Sequence, residues 1–143
     1  VIDMRFPPPK ALLRIAIVLL AMTALSSMSH LALAQTGNDV AAGKSLYEAK
    51  CSGCHSVDTN RIGPMHRGVV GREVASVSGF DYSPAIKQLH GVWTKERLDK
   101  WLENPQAVAP GTIMFASVDN PVERREIIAY LATLVPTTAA RPQ

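Results

Sequence analysis

Hydrophobic and polar positions follow two different patterns along the chain, changing at about residue 35. Before that point, "IAIVLLAMTAL" at 15–25 is an unbroken apolar run preceded by Arg5, Lys10 and Arg14. After it, apolar residues recur three and four apart, the spacing of helices that bury one stripe. Four helices are predicted. The first runs from about Val40 to Lys50, with Asn38 or Asp39 as cap and Leu46 and Tyr47 on its apolar face. The second is short, Pro84 to Leu89, with Ser83 before Pro84 in the order N-cap then N1. The third, about Lys95 to Asn104, is capped by Thr94, carries Leu98, Trp101 and Leu102 at i, i+3 and i+4, and is stopped by Pro105. The fourth lies in "NPVERREIIAYLATLV": Asn120 caps it, Pro121 sits at N1 and Glu123 at N3. Ile127, Tyr130, Leu131 and Leu134 form its stripe, and Pro136 closes it.

Between these helices run two long connections, residues 56–83 and 105–119, rich in Gly, Pro or Ser. Both are too long for idle loops in a small domain. Val69 and Val70 hint at a strand, weakened by the neighbouring glycines. The fold class is therefore all-α, with long loops that need something to wrap around.

The N-terminal pattern changes what the composition means. A basic start, a short apolar run and Ala32 and Ala34 in "LALAQ" form the layout of a secretory signal peptide cleaved after Ala34. Translation is expected to start at Val1, from an unusual start codon, or at Met4. The rival reading is an uncleaved anchor. Against it, the apolar run is about half the roughly 20 residues of a spanning helix, and only "QTGNDVAAG" separates Ala34 from Lys44. The expected organisation is a signal peptide at 1–34 and one domain at 35–143, with its core at about 38–135. The leader holds Arg5, Lys10 and Arg14 against Asp3, so of the chain's net charge of +3 only +1 stays with the mature part. The pI near 9.1 therefore owes much to a discarded segment, and no basic block remains to bind nucleic acid. A mature chain of this size buries only a modest core, which a large apolar cofactor would enlarge.

The chemistry concentrates in "AKCSGCHSV", where Cys51 and Cys54 are the only cysteines and His55 follows directly. Zinc needs four ligands, and the spacings of His66 and His90 fit no familiar zinc pattern. A thioredoxin-type redox pair would sit beside a βαβ pattern, which is absent. A disulfide, the natural alternative for an exported chain, would close so short a loop that it stabilises little, and it leaves His55 unexplained. C-x-x-C-H is also the pattern of covalent c-type haem attachment. Two thiols on one turn each add to one vinyl group of a haem, and the adjacent imidazole then reaches the iron as an axial ligand. This reading is preferred. For the opposite face of the iron the candidate is Met114 in "PGTIMFAS", presented by a loop that Pro110 and Gly111 stiffen and turn. The alternative is a methionine that fills a core gap.

At this point the chain resembles a family. Gly43 and Tyr47 precede "CSGCH"; then come "GP" at 63–64, "GR" at 71–72, "GFDYSPA", Trp93, "LENP", "PGTIM" and "ERREIIAYL". This order is similar to that of class I cytochromes c of the mitochondrial and soluble bacterial kind, over about residues 38–135. The resemblance implies the small cytochrome c fold, helices and long loops around one haem c attached through Cys51 and Cys54. It implies His55 and Met114 as axial ligands, with the Pro64 carbonyl accepting a bond from the other imidazole nitrogen. It further implies that Arg72, Tyr82, Trp93 and Thr112 bond the haem propionates, and that Gly43 and Tyr47 lie where the first helix crosses the last near Ile127 and Tyr130. There are departures. Trp101 replaces a tyrosine that bonds the methionine sulfur, and its indole N–H is a candidate donor. Ile86 stands in place of Asn, Ile113 in place of a Lys beside the haem edge, and His66 in place of a Leu near the haem. For His66 a core-bonded or surface-reaching side chain is expected rather than a rival ligand.

The function so implied is a periplasmic, monomeric, single-electron carrier rather than an enzyme. It would link partners such as a quinol–cytochrome c reductase and a terminal oxidase, reaction centre or dehydrogenase. Two other readings remain: a dedicated electron-donor subunit of one enzyme, and a haem protein whose labile methionine lets the iron bind peroxide or a small gas.

Overall fold

The structure is a computed structural model that describes residue 37 and residues 39–136. The leader assigned to 1–34, its cleavage point and the Asn38 alternative for the first cap lie outside the described residues. Five helices follow in order: α1 (39–50), α2 (Pro84–Lys87), α3 (Lys95–Glu103), α4 (Pro105–Val108) and α5 (Pro121–Thr133). The described residues hold no strand, only an isolated antiparallel bridge between Glu73 and Val92. The fold class is all-α. None of the described helices is long and apolar enough to cross a membrane.

Capping side chains set where the helices after α1 start. Thr94 Oγ1 accepts from the Arg97 N–H at 3.2 Å, Ser83 Oγ from Ile86 at 3.4 Å, and Asn120 Oδ1 from Val122 at 2.9 Å. Each satisfies an N–H that the first turn leaves without a partner. Two sequence expectations are corrected. Pro105 does not merely stop α3. Asn104 is extended, as the residue before proline prefers, and its Oδ1 accepts from the Ala107 N–H at 3.0 Å, so Pro105 becomes the first residue of α4. Val69 and Val70 form no strand. Val69 donates to the His66 carbonyl and accepts from Arg72, turning the chain instead of extending it.

The core gathers where α1, α3 and α5 meet, around Ile127, which is fully buried, with Leu98, Trp101, Leu102 and Leu131. Helix α1 crosses α5 at Gly43. A Cβ at this position would lie 1.9 Å from the Glu126 carbonyl oxygen and 3.1 Å from the Ile127 nitrogen, so only a hydrogen fits. Beside the crossing, the Tyr47 and Tyr130 rings pack at 5.4 Å, and Lys50–Glu123 (3.2 Å) and Arg125–Asp39 (3.7 Å) pair across it.

A second tie fixes the loop that returns to α5. The buried Arg124 guanidinium bonds Asp99 (2.7 Å) and Glu103 (3.5 Å) on α3. It also donates to the Val118 and Asp119 carbonyls at 3.0 and 2.9 Å. One side chain thereby holds α3, α5 and the end of the 109–120 connection together.

Gly43→Ala measures the helix crossing. In a helix exposed to solvent the change would stabilise by about 1 kcal/mol. Here the overpacking dominates, and a loss of about 3 kcal/mol is expected, read as a lower midpoint in denaturant.

Candidate functional site

The chain leaving α1 tightens into a turn. Cys51 and Ser52 N–H groups donate to the Tyr47 carbonyl at 2.9 and 3.1 Å, and Cys54 and His55 donate to the Cys51 carbonyl at 3.1 and 2.9 Å. The turn puts both cysteines and His55 on the wall of one cavity of about 400 Å³. The following loop braces it: Arg61 Nη1 donates to the Ser52 carbonyl at 2.5 Å, and the Gly63 N–H donates to the Cys54 carbonyl at 2.9 Å. Both thiols are unpaired. Burial pushes the Cys51 thiol up to about 11, so it is protonated at neutral pH.

His55 Nδ1 lies 2.8 Å from the Pro64 carbonyl oxygen. A carbonyl only accepts, so Nδ1 carries the proton and Nε2 keeps its lone pair for a metal. Burial lowers the pKa of His55 and the Pro64 bond opposes that shift. Gly63 presses against the same ring. A Cβ there would fall 2.1 Å from His55 Cε1, leaving no room for any side chain.

The same cavity is bordered by Pro64, Arg72, Tyr82, Trp93, Trp101, Thr112 and Met114. Arg72 is half-buried, and its guanidinium donates to the Arg67 and Met65 carbonyls at 3.1 and 2.9 Å. Among the described residues no carboxylate pairs with it. Burial lowers its pKa, so an anionic group in the cavity would relieve an uncompensated charge. Tyr82 Oη accepts from the Val77 N–H at 3.3 Å. Thr112 is buried, and its Oγ1 accepts from the Met114 N–H at 3.5 Å. The Trp93 and Trp101 rings pack at 5.3 Å, with the Arg97 guanidinium 5.2 Å above Trp93. No hydrogen bond joins the Trp101 indole to the Met114 sulfur among the described residues.

Two residues carry more than the sequence revealed. Gln106 Nε2 donates to the Thr112 and Met114 carbonyls at 2.8 and 3.2 Å, and its Oε1 accepts from the Gly111 N–H at 3.2 Å. It fastens the methionine loop from within. The signal for it was the Asn104–Pro105 start of α4, which sequence reading took as an end. His66 is core-bonded: its Nδ1 lies 3.2 Å from Tyr47 Oη, and its ring stacks on His55 with centroids 4.1 Å apart and planes at 18°. Burial, with His55 and Arg72 nearby, pushes its pKa down to about 3, so the ring is neutral. It lies beside His55, not across the cavity from it.

The sequence model of the cytochrome c family matches residues 40–135. The chain belongs to the cytochrome c family. It is 45% identical over 98 residues to cytochrome c-type cyt cy of Rhodobacter capsulatus, a match covering 67% of this chain and 49% of that protein. To cytochrome c2 of Rhodomicrobium vannielii it is 41% identical over 106 residues, 71% of this chain and 84% of the relative. The chain thus spans about half the length of the first and most of the second. Among solved structures, cytochrome cH from Methylobacterium extorquens superposes with a TM-score of 0.63 at 36% identity, covering 66% of this chain and 97% of that one.

Membership implies one covalently bound haem c, and the site's chemistry fits it. Two unpaired thiols, an imidazole with its Nε2 lone pair available, a thioether and an unneutralised guanidinium all border one mainly apolar cavity. In this cytochrome, Gly63→Ala should displace the His55 ring. The expected result is loss of the low-spin ferric spectrum or of covalently held haem, read by visible absorption and intact mass.

Proposed function

We propose that this cytochrome is an exported single-electron carrier. Its one haem would be held through Cys51 and Cys54, with the iron bound by His55 and Met114. The observation that carries the reading is the Nδ1 bond from His55 to Pro64, which leaves Nε2 as the ring's only ligand atom. When bound, the haem iron supplies exchange of one electron between Fe(III) and Fe(II). The chain's residues do the rest. Thr112 and Gln106 hold the Met114 backbone in place, which favours a fixed sixth ligand over a labile one and so electron exchange over peroxide or gas binding. A thioether ligand raises the potential relative to bis-histidine ligation. Arg72 would offer charge to the propionates, and Tyr82, Trp93 and Thr112 line the same cavity. Trp101 packs against Trp93 within it.

Residues 1–34 are assigned as a cleaved leader and 35–143 as the cytochrome domain, placing the mature monomer in the periplasm. The partners proposed are a quinol–cytochrome c reductase on one side and a terminal oxidase, reaction centre or dehydrogenase on the other. The docking face is the cavity's rim, where Ile62, Ile113 and Phe115 are 69%, 62% and 80% exposed. A mature net charge of +1 and an apolar rim give mild electrostatic steering.

Holoprotein mass and spectra test the reading. An intact mass of chain plus haem, with neither thiol alkylatable, is expected. The weak far-red ferric band of iron-bound sulfur is expected in the wild type and lost in Met114→Ala. A band that survives that change contradicts the sixth ligand. Association with an acidic redox partner should weaken only moderately as salt rises, in stopped-flow measurements; a steep dependence contradicts the docking face.

A further inference from the structure

One hydrogen bond does not fix the orientation of a planar ring. The Pro64 carbonyl holds His55 at Nδ1 alone, and the ring can still pivot about that bond. The Gly63 backbone lies over the ring at Cε1: a Cβ on it would fall 2.1 Å from Cε1 and 2.5 and 2.6 Å from Nδ1 and Nε2. The one flat side chain stacked on the imidazole among the described residues is His66, at 4.1 Å and 18°.

We propose that His66 is a positioning residue that sets the plane of the axial imidazole. The inference rests on the reading of His55 as an iron ligand. His66 can do this because its own orientation is determined. Its backbone N–H donates to the Ser56 carbonyl at 3.0 Å. Its Nδ1 is bonded to Tyr47 Oη at 3.2 Å, and the Tyr47 ring meets it edge-on at 5.6 Å and 68°. Tyr47 is buried, packed against Tyr130 where α1 crosses α5. A continuous series of rings, Tyr130, Tyr47, His66 and His55, thus runs from the helix crossing to the ligand. An aliphatic side chain at 66 would offer neither the flat face nor a partner for the buried phenol.

Two consequences reach the iron. The plane of an axial imidazole selects which iron d orbital it overlaps, and so where unpaired spin falls on the haem ring in the ferric state. The polarity of the groups around a ligand sets the potential, because a polar neighbour stabilises the more positive ferric form.

The test uses the full holoprotein and three variants, His66→Leu, His66→Phe and Tyr47→Phe. Haem-methyl proton shifts in the ferric NMR spectrum report the imidazole plane. With His66→Leu the far-red band should persist, the methyl shifts should rearrange and the potential should rise. His66→Phe keeps a flat face and should leave the methyl pattern close to that of the wild type. Tyr47→Phe releases His66 Nδ1 and should move the pattern in the same sense as His66→Leu, by less. Tyr47→Phe carries the test by itself if neither His66 variant folds. A His66→Leu protein that is merely less stable in denaturant, with methyl pattern and potential unchanged, overturns the proposal, as does an unchanged pattern in Tyr47→Phe. A wild-type ferric protein without a low-spin spectrum and far-red band would instead refute the ligand reading beneath it.

Discussion

His55 donates its Nδ1 proton to the Pro64 carbonyl, and the chemistry of the site follows from that bond. With Nδ1 occupied, the ring has one lone pair to offer, and the tautomer is chosen before any metal arrives. The bond needs the 61–64 loop to run tight against the C-x-x-C-H turn. That closeness is why Gly63 has no space for a side chain and why the loop bonds back to the Ser52 and Cys54 carbonyls. Sequence spacing places the two thiols and the imidazole on one turn. Loop packing gives the imidazole its chemical identity.

The rest of the fold serves to keep two distant segments facing one cavity. The turn at 51–55 is anchored to α1, and α1 is locked to α5 through the glycine crossing. The methionine loop hangs between α4 and α5, held by Gln106 at one end and Arg124 at the other. Helices α3 and α5 join the two sides through the core around Ile127. The ties through Gln106 and Arg124 are polar contacts made by a half-buried and a buried side chain, in keeping with a small domain whose apolar core is limited. The cavity is itself lined with apolar and aromatic residues, so a haem bound there would complete the core as well as supply the redox centre.

Much of this was legible in the sequence. Helix starts at Ser83, Thr94 and Asn120 follow from capping chemistry, which is local and needs no tertiary knowledge. The C-x-x-C-H turn and the order of motifs point to His55 and Met114 as the proposed ligands. The failures are informative. Pro105 reads as a terminator because proline breaks a helix interior, yet proline is equally at home as a first helical residue, and only the Asn104 cap distinguishes the two. Gln106 was missed because glutamine carries no motif; its role comes from where α4 points it. His66 stood out as a departure, but its stacking on His55 depends on how the 56–66 loop folds back, which periodicity does not encode. Val69 and Val70 are β-formers that tertiary context turned into a bend.

The central claim is that one iron is bound by nitrogen from residue 55 and sulfur from residue 114. Iron K-edge X-ray absorption on the purified ferric holoprotein tests it most directly, because it reports the atoms bound to the metal. The expected first shell is five nitrogens, four from the porphyrin and one from His55, and one sulfur at a longer distance. A shell of six light atoms, or of five with no sulfur, would contradict the account.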